Sequence, residues 1–428
     1  MRSTSSSYRP TAKAIAQRPL SPDPTRPLPA VFAKSVGLHP LLYRKRIGRV
    51  DSSAKAGDWV AVYDADENLA GYGFYNPRSE IAVRMLTLEQ SLPDDSFWDD
   101  RLQKAVELRR KVLRLDDVTD SYRVIHAEAD GLPGLVVDKL GDMLSAEIFS
   151  LGMYQRAEAI LAKLAPLCGT KHTLIRGGPA TTAQEGFEGL PISSAELPPR
   201  VTIHENGLRF RVDFAKGHKT GFFCDQRDNR KLLASFCEGK TVLDLCCYTG
   251  GFSIYAKKLG GAAEVTGVDL DEEPLETARE NANLNQARVK FVQADAFAYM
   301  RDMLRGGRKF DVVVLDPPKL IRTRAELEEG SHKHFDLNKL AMQLVAPGGL
   351  LLTCTCAGLL PADEFARIIY RAARQAGPQV SAATSERSAR HAPRMLQVLA
   401  KSGASADHPV AANCPETEYL NAIWARLW

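Results

Sequence analysis

The sequence contains no run of eighteen or more apolar residues, so no membrane-spanning helix is expected. Its start is basic but carries no apolar stretch of the kind a secretory signal needs, although a Ser- and Arg-rich, acid-poor start also imitates an organelle transit peptide. Eight cysteines in 428 residues make no disulfide framework. Neither C-x-x-C nor H-E-x-x-H occurs, so no metal is expected. Free thiols suit a reducing cytosol, and a cytoplasmic location is the expectation. G-x-G-x-x-G is missing from the one turn where a dinucleotide-binding fold would carry it, which counts against a dehydrogenase. No internal repeat is found.

The hydrophobic content of 44% and charged content of 25% are those of an ordinary globular chain, long enough for two to four domains. The net charge of +4 hides an asymmetry: residues 1–50 hold ten Lys/Arg against one acid, Asp23, and the rest of the chain sums to −5. A basic arm on a mildly acidic body suits a polyanionic partner, and equally a solvated tail.

Four segments are expected. Residues 1–30, with six prolines and Ser5-Ser6-Ser7, form a disordered leader. Residues 31–107 form a small β-barrel, with strands at Trp59–Tyr63, Leu69–Tyr75 and Ile81–Leu86, the basic stretch Arg44-Lys45-Arg46 near its start and a helix from Phe97 to Arg114 at its end. Residues 108–200 form a central α/β domain, with strands at Tyr122–Ala127 and Leu135–Val137 and a helix at Tyr154–Leu164. From 201 to 428, after a hairpin turning at Asn206-Gly207, near-continuous apolar runs alternate with helical stretches. These runs lie at Thr241–Leu245, Glu264–Val268, Val289–Val292, Val312–Leu315 and Leu350–Cys354. They predict strands buried on both faces, hence an α/β fold with a doubly wound, Rossmann-like sheet.

The first strand of that sheet runs into Asp244-Leu245-Cys246-Cys247-Tyr248-Thr249-Gly250-Gly251-Phe252. A Gly pair at a strand-to-helix turn lets backbone approach a ligand, the helix N-terminus offers N–H groups to a carboxylate, and Asp244 suits an ammonium group. Asp269, followed by Leu270, ends the second strand and suits the two hydroxyls of a ribose. Asp295, followed by Ala296, ends the third and suits an adenine amino group. Singly, each acid could be a helix cap. Three at successive strand ends point to S-adenosylmethionine (SAM) rather than NAD.

The fourth strand ends in Asp316-Pro317-Pro318-Lys319, whose prolines fix backbone direction beside the cofactor. Such turns also serve methylation of purine nitrogens. The fifth strand carries Cys354 and Cys356, two apart and so on one face. Carbon-5 of a pyrimidine is a poor nucleophile until a thiolate adds at carbon-6, which a strand-end cysteine can supply. A buried, inert cysteine is equally common in an apolar strand. Gly217-His218-Lys219-Thr220-Gly221, with Asp225-Gln226-Arg227 after it, suits a loop covering a cofactor or a plain surface loop.

These motifs, with Asp130-Gly131-Leu132-Pro133-Gly134, Cys356-Ala357-Gly358-Leu359 and Asp407-His408-Pro409, resemble those of bacterial class I SAM-dependent methyltransferases of the large-subunit ribosomal RNA methyltransferase I type, over residues 31–428. The resemblance implies a PUA domain that binds RNA, a central α/β domain and a Rossmann-like catalytic domain forming 5-methylcytosine in 23S rRNA or a large-subunit precursor. It implies Cys356 as nucleophile, Asp316 on the cytosine edge and Lys319 nearby. Lys219, Thr220, Gln226, Asp244, Tyr248, Thr249, Gly250, Gly251, Phe252, Asp269, Leu270, Asp295, Ala296 and Asp316 would line the SAM site. No membrane partner is expected, and a homodimer is admitted. Two departures stand out: His334-Phe335 occupies the place of a usual Tyr-Lys pair, with Lys333 one step away, and the leader is long. Methylation of a purine nitrogen with Cys356 merely structural, or an RNA-binding assembly factor without catalysis, are the alternatives.

Overall fold

The computed structural model describes residues 15–178, 180–214, 221–380 and 390–428. Its largest sheet has seven strands: β1 (Thr241–Leu245), β2 (Glu264–Asp269), β3 (Lys290–Gln293), β4 (Phe310–Leu315), β5 (Val345–Thr355), β6 (Leu396–Ser402) and β7 (Asn421–Leu427). They lie in the order β3-β2-β1-β4-β5-β7-β6. The first five are mutually parallel, and β7 enters antiparallel beside β5. Val313, Leu315, Leu351 and Leu352 are fully buried, which is why their strands read as continuous apolar runs rather than alternating ones. Each such side chain removed from water contributes about 1.5–3 kcal/mol.

Helices α1 (Gly251–Lys258), α2 (Glu272–Leu284), α3 (Ala296–Arg305), α4 (Leu327–Leu344) and α5 (Ala362–Ala373) connect the parallel strands and cover the sheet. The apolar stripe of α5, through Phe365, Ile369 and Ala372, is buried against it. Gly330 lets α4 close on the loop after β4, because a Cβ there would lie 2.3 Å from Ile321 Cγ1 and 2.7 Å from the Leu320 carbonyl oxygen.

Register places the chemistry. Leu245 pairs with both Val268 and Leu315, and Leu315 pairs with Thr353. Cys246, Asp316 and Cys354 therefore emerge as neighbours from three adjacent strands, at the carboxyl edge where the order reverses between β1 and β4. In open α/β sheets that crevice is where ligands bind.

Two further sheets precede this one. A six-stranded sheet is built from Ala30–Ala33, Leu41–Tyr43, Ile47–Val50, Trp59–Tyr63, Leu69–Tyr75 and Ile81–Thr87. Its inward residues Val31, Leu42, Val60, Val62, Val83 and Met85 pack on one another, the arrangement of a small barrel. A five-stranded sheet follows, with strands Ser121–His126, Leu135–Leu140, Met143–Ile148, His172–Gly177 and Ile192–Ser193. A hairpin of Arg200–Glu205 and Leu208–Asp213 bridges to the large sheet. The α/β architecture with a Rossmann-like domain behind a small barrel and a central α/β unit is thus the one the sequence implies.

Two expectations change. From residue 15 the leader is not a free tail: Leu20 is buried, its carbonyl accepts from Trp59 Nε1 at 2.8 Å, and Arg18 pairs with Asp58 at 2.5 Å. Residues 1–14 lie outside the described ones. The helix expected to end the barrel domain runs Asp95–Glu107 and continues as a π-helical turn over Leu108–Val112, so no break falls at 107. That wide turn aims Arg109 inward, where it forms a two-pronged pair with Asp130 at 2.6 and 2.9 Å and donates to the Asp407 carbonyl at 2.7 Å.

Candidate active site

The turn after β1 is held in a conformation few side chains adopt. Cys246 and Tyr248 have φ of 61° and 49°, and Gly250 has 81°. At Gly250 a Cβ would also lie 3.0 Å from Phe291 Cζ and 3.2 Å from Ala278 Cβ, so only glycine fits. Tyr248 N–H donates to Asp269 Oδ2 at 2.8 Å, and Asn281 Nδ2 donates to the Thr249 carbonyl at 3.1 Å. Gly251 opens α1, Phe252 is buried behind it, and Phe223 meets the edge of the Tyr248 ring at 5.0 Å.

Asp244, at the floor of the turn, is 1% exposed. Its Oδ2 accepts from Ser253 N at 2.9 Å and Ser253 Oγ at 2.6 Å, while Oδ1 has no partner. Burial pushes its carboxyl up to about 7, Asp316 and Asp269 add to that, and Ser253 opposes it. Asp269, Asp316, Asp244 and Asp295 together raise the Cys246 thiol, after burial itself, so all four carboxylates converge on this turn. An orphaned buried carboxylate oxygen among converging acids calls for a cation. The ammonium and sulfonium of SAM are of that chemistry, and the residues fit the group.

The other acids keep acceptor capacity. Asp269 Oδ1 accepts from Asp271 N at 3.1 Å, leaving a lone pair free on each oxygen for a diol. Asp295 does cap α3, accepting Ala298 N at 2.9 Å through Oδ1, and the residue is exposed. Leu270, 61% exposed, and Ala296, in the first turn of α3, are apolar surfaces beside these acids. Lys219 and Thr220 lie outside the described residues.

Beyond β4, Asp316 Oδ2 accepts from Gln226 Nε2 at 3.0 Å. The amide is fixed in that sense because Gln226 Oε1 accepts from Asn229 Nδ2 at 2.7 Å, and Asn229 Oδ1 accepts from Ser402 Oγ at 2.7 Å. Cys354 is fully buried; burial foremost, then Asp316, pushes its thiol up, against a hydrogen bond with Gln226. Cys356 packs on the same apolar cluster as Cys354 but is only half-buried. Lys319, three residues past Asp316, is exposed.

Sequence reasoning missed Asn229 and Tyr419 and noted His334 only as a departure from a usual Tyr. Asn229 sits one helical turn past Gln226, a spacing that was readable. Tyr419 donates to Asp225 Oδ2 at 2.6 Å, a contact between segments 194 residues apart that no local signal marks. His334 is buried, held neutral by burial that lowers it to about 4, and its Nε2 lies 3.1 Å from Thr355 Oγ1, which also accepts Ala357 N–H at 3.3 Å. The departure from Tyr at 334 thus still engages the backbone around Cys356.

Sheet order and cofactor crevice define a SAM-dependent methyltransferase. A family model for S-adenosylmethionine-dependent methyltransferases matches residues 183–386, and one for PUA-like domains matches 34–88. The chain belongs to the ribosomal RNA large subunit methyltransferase I family. Proteins of that name from Aeromonas hydrophila, Vibrio cholerae and Pseudoalteromonas atlantica are 38%, 37% and 34% identical to it, each over 91% of this chain and 95% of their own length. Among solved structures, a methyltransferase candidate complexed with SAH superposes with a TM-score of 0.75 at 20% identity. A second, from Streptococcus mutans, does so at 0.74 and 19%. Both cover 93% of this chain and 99% of their own, and they share its fold. No helix among the described residues is long and apolar enough to cross a membrane.

Proposed function

We propose that the protein methylates carbon-5 of a cytosine in large-subunit ribosomal RNA through a covalent adduct with Cys356. The observation that carries this reading is the contrast between two thiols of one apolar cluster: Cys354, which Asp316 acts on, is fully buried, whereas Cys356 is only half-buried. The substrate follows from the family, whose members bear the name of a large-subunit rRNA methyltransferase.

SAM supplies an electrophilic methyl group. Asp244 would hold its ammonium, Asp269 its ribose hydroxyls and Asp295 its adenine, with Tyr248, Thr249, Gly250, Gly251, Phe252, Leu270 and Ala296 shaping the cleft. Lys219, Thr220 and Gln226 would close it. The target cytosine must be unpaired or flipped out to enter. The Cys356 thiolate adds to carbon-6, and the displaced electron pair at carbon-5 takes the methyl group. A solvent water then takes the carbon-5 proton, the electron pair of that C–H bond re-forms the carbon-5–carbon-6 double bond, and the carbon-6–sulfur bond breaks to return the Cys356 thiolate. Asp316, oriented by Gln226, would hold the amino or ring-nitrogen edge of the base, and Lys319 would favour the thiolate.

Arg44, Lys45 and Arg46 form an exposed 3₁₀ turn on the barrel and would contact phosphates. The test is methyl transfer to 23S rRNA followed by mass spectrometry of the nucleosides. The reading requires 5-methylcytosine from the native chain and none from Cys356→Ala. A methyl group on a purine nitrogen, retained in Cys356→Ala, would replace it with the alternative in which that thiol is structural.

A further inference from the structure

A cavity of about 310 Å³ opens where the barrel, the central domain and the C-terminal segment meet. His126, Phe149 and Tyr419 line it with rings, Glu128 and Glu416 bring carboxylates to it, and Arg84 reaches it from the barrel. Nothing in the catalytic scheme above uses it. Tyr419 ties it to the active site: its hydroxyl donates to Asp225, the neighbour of Gln226, and its Cβ lies 3.7 Å from where a Cβ on Gly358 would be, two residues past Cys356.

The charges decide what the cavity takes. Arg84 is already neutralised, by Glu185 Oε1 at 2.9 Å and Glu128 Oε1 at 3.7 Å, yet its Nε has no partner although the residue is 8% exposed. His126 adds no positive charge: Arg123 donates to its Nδ1 at 3.0 Å, so its proton sits on Nε2, 3.3 Å from the Thr417 carbonyl. Glu416 sits at the rim, its Oε2 3.3 Å from His39 Nε2, and Glu128 Oε1 accepts Gly134 N–H at 3.1 Å. The balance is negative, which repels phosphate, and Glu416 Oε1 and Glu128 Oε2 are left as acceptors. What remains is a cavity lined by the rings of His126, Phe149 and Tyr419, with the carboxylate oxygens of Glu128 and Glu416 as acceptors. That is the complement of a planar ring bearing N–H donors.

We propose that this cavity binds a second, non-target nucleobase of the RNA, of the guanine type, whose adjacent ring N–H and amino group match a carboxylate. The proposal rests on the reading of RNA as substrate. Anchoring a base against Tyr419, which packs beside Gly358, would set which cytosine reaches the thiol, since single-stranded RNA is read by stacking and by the hydrogen-bonding edges of splayed bases.

The test uses the full chain loaded with SAH, so that the cofactor site is filled, and follows guanosine, inosine, adenosine and uridine by saturation-transfer NMR. Guanosine should give contacts and inosine, lacking the amino group, weaker ones. Val136→Phe, which fills the cavity, and Glu416→Gln, at its exposed rim, should abolish them with SAH binding unchanged. Each should raise KM for 23S rRNA about tenfold, the scale of one lost stacked base. If Val136→Phe unfolds, Glu416→Gln decides. An unchanged KM and unchanged guanosine contacts in the folded variants overturn the proposal while leaving the rRNA reading intact. A native chain that binds guanosine in this cavity but never methylates rRNA defeats the reading of function instead. Binding of a tri-arginine peptide with no guanosine contact makes the cavity a protein-docking site and also overturns it.

Discussion

Arg227 and Asp407, 180 residues apart in the chain, form a buried two-pronged ion pair at 2.7 and 3.2 Å. Asp407 also accepts Arg123 N–H at 2.9 Å, so one carboxylate joins the central sheet, the segment after β6 and the helix that begins beside Gln226. The orientation of Gln226 toward Asp316 depends on this junction.

Removing that carboxylate leaves the buried Arg227 with only its 3.5 Å contact to the exposed Asp228, and breaking such a buried pair costs about 3–5 kcal/mol. Asp407→Ala should therefore lower the denaturation midpoint markedly and weaken activity through lost folded protein. Burial alone would raise the Asp407 carboxyl, but His408 and Arg227 together hold it well below the usual carboxylate range. A carboxyl depressed on folding stabilises the native state above its unfolded pKa of about 3.9, and that contribution is lost as pH falls further. Urea melts of the native chain should lose stability steeply below about pH 4, and Asp407→Asn should flatten that loss.

Asp244 has the opposite sign. Its carboxyl, up at about 7, is protonated in the free chain at lower pH, and a bound ammonium favours the ionised form. Binding of SAH should release up to one proton below pH 7. Affinity should rise with pH and level off above about 7. Calorimetry in two buffers of different ionisation enthalpy measures the proton count. Asp244→Asn should remove both the release and most of the affinity.

Neutralising Lys45 and Arg46 as Lys45→Ala/Arg46→Ala should weaken RNA binding. The slope of log affinity against log salt should become shallower by roughly 1.4–1.8 if each meets one phosphate. Folding should be unaffected, since both side chains are exposed. Filter binding across about 50–200 mM salt reads this out, and an unchanged slope moves the RNA path away from that turn.

The five parallel strands were legible because burial on both faces forces apolar runs, and Asp244, Asp269, Asp295 and Asp316 could be picked out as candidates because each lies at or within two residues of such a run's carboxyl end. Strands β6 and β7 were not. Leu396–Ser402 is a largely exposed edge, and Asn421–Leu427 becomes a strand by pairing with β5. The helix expected over Tyr154–Leu164 runs Ala157–Cys168, because Ser150 caps a separate short turn at Leu151–Tyr154 and Gly169 closes the later one. Cys354 and Cys356 look alike in sequence. Cys354 lies inside β5 and packs into the buried cluster of Phe252, Leu352 and Trp424, whereas Cys356 falls just past the strand's end and is half-buried.

The central claim is that the sulfur of Cys356 adds to carbon-6 of a cytosine. Fluorine at carbon-5 cannot leave as the proton does, so 23S rRNA transcribed with 5-fluorocytidine should trap the enzyme after methyl transfer. Denaturing electrophoresis with SAM present should show a protein–RNA adduct for the native chain and for Cys354→Ala, and none for Cys356→Ala with SAH binding intact. An adduct that survives in Cys356→Ala, or the absence of any adduct while methyl groups still reach ordinary 23S rRNA, would contradict the account.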